Sequence, residues 1–521
     1  MCEKSFLWGS ATSAFQIEGS LDIDGRGPSI WDIFQDEPGK IVDGSTADIA
    51  DNSYNQFKDD IRLLKKMGCN CYRFSISWTR ILPNGNGEIN DKGIQFYNDV
   101  INNILENGLE PIITLFHWDS PQGLEKYGGW LDQTDTIVTD FVKYANICFE
   151  NFGDRVKYWA TFNEAQTFAV TGYEQPYFAP SIGNDDGISP YGLEYIVGHN
   201  ILLAHAYTVQ SYRENFQKIQ KGKIGMVNNM DYVVPYTNSQ EDMDAAQRYM
   251  IFWGGWFFDP LFFGDYPNIM KEIVGDRLPK FTNKEKKLLK GSLDIMYLNH
   301  YTAFYASNRP GESPPGWIYD MKANKSYTNP EGVLIGKETQ SPWNHIVSYS
   351  PYGILEFYYN RYRIQGYPGI SLKINNNVTS IPIMFTENGM AVLGETQDSS
   401  YEECRHDTDR IDYYSGCLNS IGEAINDFQL DIIGYTAWSL LDNFEWATGY
   451  GARFGMNYVD FNFSKGNSQF RPRLQKDSAK WYHDYIKNHP SGPTPEPTEP
   501  TEPTELIVQY KKPSVITKLK R

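Results

Sequence analysis

Eight short apolar runs, separated by helix-length amphipathic stretches from about Lys4 to about His489, constrain this chain more than any other feature. They fall at 6–9, 72–76, 111–116, 158–162, 224–227, 295–298, 383–386 and 432–436. Runs of this length alternating with helical periodicity are the pattern of β/α units. Eight such units predict an α/β fold, a single (β/α)8 TIM barrel, with its chemistry at the C-terminal ends of the strands. Between the second and third runs, Ile94, Tyr97, Ile101, Ile104 and Leu105 recur at helical intervals and predict a helix with those residues inward. The span from Ala303 to Ile381 exceeds what one β/α connection needs, so it predicts long loops over the C-terminal face.

The barrel is expected to occupy 1–489. From Pro490 the composition changes, and Pro, Thr and Glu recur through Glu505. Such a sequence cannot bury a core, and 490–505 reads as a disordered, extended linker. The last stretch, 506–521, is short and basic, with Lys511, Lys512, Lys518, Lys520 and Arg521. It reads as a disordered tail, with docking or surface attachment as the alternative.

Bulk composition excludes several functions. A formal charge of −18 over 521 residues opposes a nucleic acid or an anionic membrane surface as partner. No apolar stretch has the roughly 18 to 20 residues that span a bilayer. Cys2, Cys69, Cys71, Cys148, Cys404 and Cys417 form no CxxC pair, and no Cys/His set completes a metal site, so neither metal nor cofactor is expected. Cys69 and Cys71, two apart, are read as packing residues on one side of a strand. The N-terminus has no apolar leader, which points to the cytoplasm. The Pro/Thr linker has the composition of exported modular enzymes, and secretion is the alternative. Aromatic residues are 15% of the chain, and aromatic faces suit the C–H faces of sugars as well as cores.

Two glutamates close strand-like runs inside polar clusters: Thr161-Phe162-Asn163-Glu164 and Phe385-Thr386-Glu387-Asn388-Gly389. One carboxylate at a strand end is ordinarily a cap or loop acceptor. Two of them, after the fourth and seventh strands of one barrel, can face each other across its mouth. Glycoside hydrolysis requires such a pair, about 5 Å apart for retention and further apart for inversion.

The chain resembles glycoside hydrolase family 1, and the likeness runs from Phe6 to His489. It is carried by Phe6 to Gly19, by Tyr72-Arg73-Phe74-Ser75-Ile76-Ser77-Trp78, by His117-Trp118-Asp119, by the two glutamate clusters, and by Trp438 to Trp446. The resemblance implies a β-glucosidase that removes terminal β-glucosyl residues from cello-oligosaccharides or aryl glucosides, with β-fucosides and β-galactosides as further substrates. It makes Glu164 the general acid/base and Glu387 the nucleophile, with Arg73 and Tyr301 beside Glu387. It assigns sugar binding to Gln16, His117, Trp118, Asn163, Asn299, Glu445 and Trp446, with Trp438 as the stacking floor. Taken singly, His117 reads as a core histidine, Gln16 as a loop acceptor and Trp438 as packing.

Where many members of the family have Pro after the acid/base glutamate, this chain has Ala165-Gln166-Thr167, and its stretch before Pro351-Tyr352-Gly353 lacks their Trp. Trp343 lies further upstream, and the acceptor side is left open. Glu164 is intact where myrosinase-like relatives have Gln. Glu445-Trp446 stands where phospho-glycosidases bind phosphate with Ser and Lys, so neutral sugars are favoured. An inactive sugar-binding barrel would have lost a carboxylate, whereas a transglycosylase would keep every catalytic residue.

Overall fold

The protein is described here by a computed structural model that covers residues 6–183, 192–363, 381–462 and 469–495, and the two-residue strands Lys373–Ile374 and Asn377–Val378. All eight expected strands form. They are β1 (Leu7–Ala11), β2 (Cys71–Ser75), β3 (Glu110–Phe116), β4 (Tyr158–Asn163), β5 (Lys223–Asn229), β6 (Met296–Asn299), β7 (Ile383–Glu387) and β8 (Ile432–Trp438). Each pairs in parallel with its neighbours in sequence, and β8 returns to β1 with Leu7 opposite Gly434, closing the barrel.

Strand alternation sorts the side chains into two layers. On β2, Tyr72 and Phe74 join the outer core against the helices, while Cys71 lies inside the barrel with Ile112, Ala160, Val227, Ile295, Tyr297 and Met384. Arg73 points inward above that apolar floor. Cys69 precedes the strand and belongs to the outer core, so the two cysteines do not share a side as the spacing suggested. The chain bends between them at Asn70, and no single alternating register spans both.

Helices follow the strands: α1 (Ser53–Lys66), α2 (Asp91–Glu106), α3 (Thr136–Phe152), α4 (Leu193–Asn215), α5 (Trp256–Phe263), α6 (Ser350–Tyr358), α7 (Thr408–Phe428) and α8 (Asp477–Asn488). On α2 the buried stripe is Gly93, Phe96, Tyr97, Val100, Ile101 and Ile104. Leu105 was expected inward, but it is 37% exposed because the stripe runs through 97, 101 and 104 and leaves 105 past its edge.

The long span after β6 carries structure of its own over the barrel mouth. Ala303–Asn308 pairs with Tyr232–Pro235 on one side and Ala323–Ser326 on the other, and Lys337–Glu338 pairs with His345–Ile346. Beyond α8 the chain stays against the barrel: Trp8 Nε1 donates to the His489 carbonyl at 2.9 Å, and Gly492 and Pro493 are buried. The remainder of the linker and the basic tail, 496–521, lie outside the described residues. Among the described residues no helix is long and apolar enough to cross a membrane.

Candidate active site

Both glutamates arrive at the C-terminal mouth through local irregularities in their strands. β4 slips register against β5 between Ala160 and Asn163, and β7 slips against β6 between Phe385 and Glu387. Such bulges re-aim the side chains that follow them. Glu164 sits just past β4 with φ of 45° and opens the helix Ala165–Tyr173, its amide donating to the Val227 carbonyl at 3.1 Å. Trp118 and Trp446, at φ of 74° and 52°, are left-handed as well. For residues with a side chain this conformation costs about 1–3 kcal/mol, and it persists where the surroundings fix it.

Glu387 is buried, and each of its oxygens has a donor. Arg73 Nη1 donates to Oε1, and the Tyr301 hydroxyl donates to Oε2 at 2.5 Å. Arg73 is fully buried, and three of its other four N–H groups are committed: Nε to Thr114 Oγ1 at 3.1 Å, Nη1 to the Thr386 carbonyl, and Nη2 to Asn163 Oδ1 at 2.7 Å. Asn299 Nδ2 donates to Asn163 Oδ1 at 3.0 Å and to Glu164 Oε1 at 2.6 Å, and its own oxygen accepts from Thr386 Oγ1 at 2.8 Å. The two carboxyls are therefore joined through Arg73, Asn163 and Asn299.

Their environments differ. Burial, and next the charge of Glu387, push Glu164 up to about 8, against the opposing pull of Asn299 and Arg73. Near neutrality Glu164 holds a proton, as a general acid must. Burial and then the Glu387 charge also raise Glu445 to about 8, with Gln16 opposing. The Tyr301 phenol is held well above its usual value by burial first and Glu387 second, so it stays a donor. Burial, then Arg73, holds the His117 imidazole well below its usual value and keeps it neutral.

The sugar-binding residues expected from sequence gather in the same place. Asn163 presents its oxygen to Arg73 and Asn299, so its Nδ2 faces His117 Nε2 at 3.1 Å. That pairing makes Nε2 the acceptor and leaves the proton on Nδ1, which is buried without a partner among the described residues. The His117 ring lies nearly parallel to Trp438 and Trp446, with centroids 5.9 Å from each. Trp118 packs against Trp446 at 4.7 Å and donates Nε1 to the Asn163 carbonyl, so it props the wall rather than lining the pocket through its N–H. Gln16 Nε2 reaches Asn443 Oδ1 at 3.0 Å and Glu445 Oε2 at 3.2 Å, fixing the loop that carries Glu445.

Three contributors escaped the sequence reading. Thr114 and Thr386 hold Arg73 and Asn299 from the strands between them. Asn388, next to Glu387, joins the segment after β6 to α7 and β8, and its place beside a strand-end glutamate was the signal for it. Trp343, whose role the sequence leaves open, is 42% exposed at the rim, edge-on to Tyr301 at 5.3 Å and stacked on Phe454 at 6.3 Å. Its carbonyl accepts from the Tyr327 hydroxyl at 3.0 Å, and the neighbouring Asn344 donates to the Gly389 carbonyl.

A β/α barrel that brings two carboxyls to its mouth, one of them holding a proton, among neutral hydrogen-bonding groups and aromatic faces, has the make-up of a glycoside hydrolase. Comparison with known proteins makes the class specific. The profile of Glycosyl hydrolase family 1 matches residues 2–491. Beta-glucosidase 1B of Phanerodontia chrysosporium is 43% identical over 93% of this chain and 85% of its own length. Beta-glucosidase 12 of Oryza sativa subsp. indica is 44% identical over 93% of this chain and 92% of its own. Among solved structures, a β-glucosidase of this family from Humicola insolens, in complex with glucose, superposes with a TM-score of 0.85 at 42% identity, covering 93% of this chain and 98% of that one. The chain belongs to glycosyl hydrolase family 1, whose β-glucosidase members these relatives represent, and its activity is the hydrolysis of β-glycosides.

Proposed function

We propose that this enzyme is a retaining β-glucosidase, releasing terminal β-glucosyl residues from cello-oligosaccharides or aryl glucosides by double displacement. The observation that carries the reading is the pair of carboxyls in one buried pocket with unequal surroundings. Glu387 receives a donor on each oxygen, whereas Glu164 is pressed toward its acid form.

In the first step a Glu387 oxygen attacks the anomeric carbon, the bond from that carbon to the aglycone oxygen breaks, and the Glu164 proton goes to the departing oxygen. Glu387 is then an ester without charge. One of the two causes that raise Glu164 disappears, and Glu164 is left as a carboxylate able to take a proton from water. Water attacks the anomeric carbon, its proton passes to Glu164, and the bond to Glu387 breaks. Two inversions restore the starting configuration. His117 Nδ1–H, Asn163, Gln16 and Glu445 supply neutral donors and acceptors for sugar hydroxyls, Trp438 and Trp446 supply aromatic faces, and Trp343 flanks the acceptor side. A phosphorylated sugar would find four of the five Arg73 N–H groups already engaged and a carboxyl at Glu445.

Rescue with azide on a dinitrophenyl β-glucoside tests both roles. Glu387→Gly opens space in which azide attacks the sugar directly, giving the α-glucosyl azide. Glu164→Ala keeps the first step, because this leaving group needs no proton, and azide then intercepts the ester to give the β-glucosyl azide. Swapped products would exchange the two roles, and an α-sugar as first product of the unaltered enzyme would defeat retention.

A further inference from the structure

Tyr301 lies between the end of β6 and the strand Ala303–Asn308, its amide and that of Thr302 turned to the Asp231 carboxylate, and its hydroxyl must stay on Glu387. Its main chain is held from outside the pocket. The Tyr413 hydroxyl, on α7, donates to the Tyr301 carbonyl at 2.6 Å. Asn388 Nδ2 donates to the His300 carbonyl at 2.6 Å and to the Tyr413 oxygen at 2.8 Å. The Tyr435 hydroxyl, from β8, donates to Asn388 Oδ1 at 2.6 Å and fixes the orientation of that amide. The His300 amide donates to the Glu387 carbonyl at 3.0 Å, and the Trp438 amide to the Asn388 carbonyl at 2.9 Å. Tyr413, Asn388 and Tyr435 are all buried.

We propose that Tyr413 is a positioning residue for the nucleophile: by holding the Tyr301 carbonyl against Asn388 it keeps the Tyr301 phenol on Glu387. The inference rests on the catalytic roles of Glu164 and Glu387. The Tyr413 hydroxyl bonds to the Tyr301 carbonyl and to Asn388 rather than to either carboxyl, so it acts through Tyr301. Within a buried network each bond constrains the next, and a loop held at one carbonyl has little freedom to carry its side chain away. Tyr413→Phe keeps the ring and its packing on α7. It removes the donor to Tyr301 and leaves that carbonyl without its partner.

The test compares Tyr413→Phe in two backgrounds with an aryl β-glucoside. In the otherwise unaltered enzyme, kcat/KM is expected to fall about tenfold, or about 1.4 kcal/mol. The inhibition constant of glucose should stay within about twofold, because the sugar pocket is intact. In a Tyr301→Phe background, which has no phenol to position, the same substitution should change kcat/KM by no more than about twofold. Tyr435→Phe, which releases Asn388 from its other side, should repeat the pattern more weakly and serves if Tyr413→Phe does not fold. The proposal is overturned by equal losses in both backgrounds, by a glucose inhibition constant that rises in step with the loss, or by no loss at all. Failure of the underlying catalytic reading would show separately, as turnover retained in Glu387→Gly without azide.

Discussion

At the scale of single residues, the site places costly groups where chemistry needs them. Glu164, the proposed general acid, combines a left-handed backbone with a buried carboxyl facing a second carboxyl, so it works against stability. In the unfolded chain a glutamate loses its proton near 4.3; folded, Glu164 does so at about 8. Between those values the native state binds more protons than the unfolded state, and stability falls as pH rises. Stability from this group is complete below about pH 4 and lost by about pH 8. Glu164→Gln removes the titration. Its apparent Tm should exceed that of the unaltered enzyme by a margin that widens between pH 5 and pH 8, reflecting a few kcal/mol. Thermal unfolding at four pH values in that range reads the margin, and a constant margin would show that Glu164 does not titrate there. The place of this residue, at a strand end in one pocket with Glu387, was legible in sequence, since a glutamate ending an apolar run is hard to account for as a simple cap once a second appears three strands on. The strength of its hold on the proton was not: burial by residues from several strands, and next the Glu387 charge, raise it against the pull of Asn299 and Arg73.

At the scale of elements, strands were easier to read than helix faces or loops. Each barrel strand is a short apolar run bounded by polar residues, and burial on both sides made all eight visible. The inward set on α2 was read one residue too far, because several successive apolar positions fit a 3.6-residue period equally well and only the packed partner decides among them. The structure gives that decision an energetic form. Ile101→Ala empties a fully buried site and should cost about 2–4 kcal/mol, whereas Leu105→Ala should cost less than about 1 kcal/mol. Urea unfolding of the two variants measures the contrast, and equal losses would return Leu105 to the core. Bulges in β4 and β7, and the hold of Tyr327 on Trp343, had no sequence signature. They are set by pairing between strands and by contacts between loops far apart in the chain.

At the scale of the whole molecule, the outstanding question is where the catalytic unit ends. Composition placed the boundary at Pro490, because Pro and Thr begin to recur there, but composition reports only which residues are unable to build a core. It does not report which of them rest on one. His489 accepts from Trp8 Nε1, the Gly492 amide donates back to the His489 carbonyl at 3.2 Å, Gly492 lies beside the Phe6 ring, and Pro495 lies beside Gly422 of α7. These contacts cover the start of β1 at the end of the barrel opposite the mouth. A chain ending at Pro495 keeps them all, and its kcat/KM and Tm should match those of the full chain. A chain ending at His489 sets a new terminal carboxylate beside Trp8 and uncovers Phe6, removing roughly 1–2 kcal/mol of packing. Its Tm should fall by a few degrees while kcat/KM, measured well below that temperature, stays unchanged. Two truncations followed by thermal unfolding and one substrate titration decide the matter. A loss of activity in the folded chain ending at Pro495 would mean that the segment beyond it reaches the mouth, and equal Tm values for all three chains would return the boundary to Pro490.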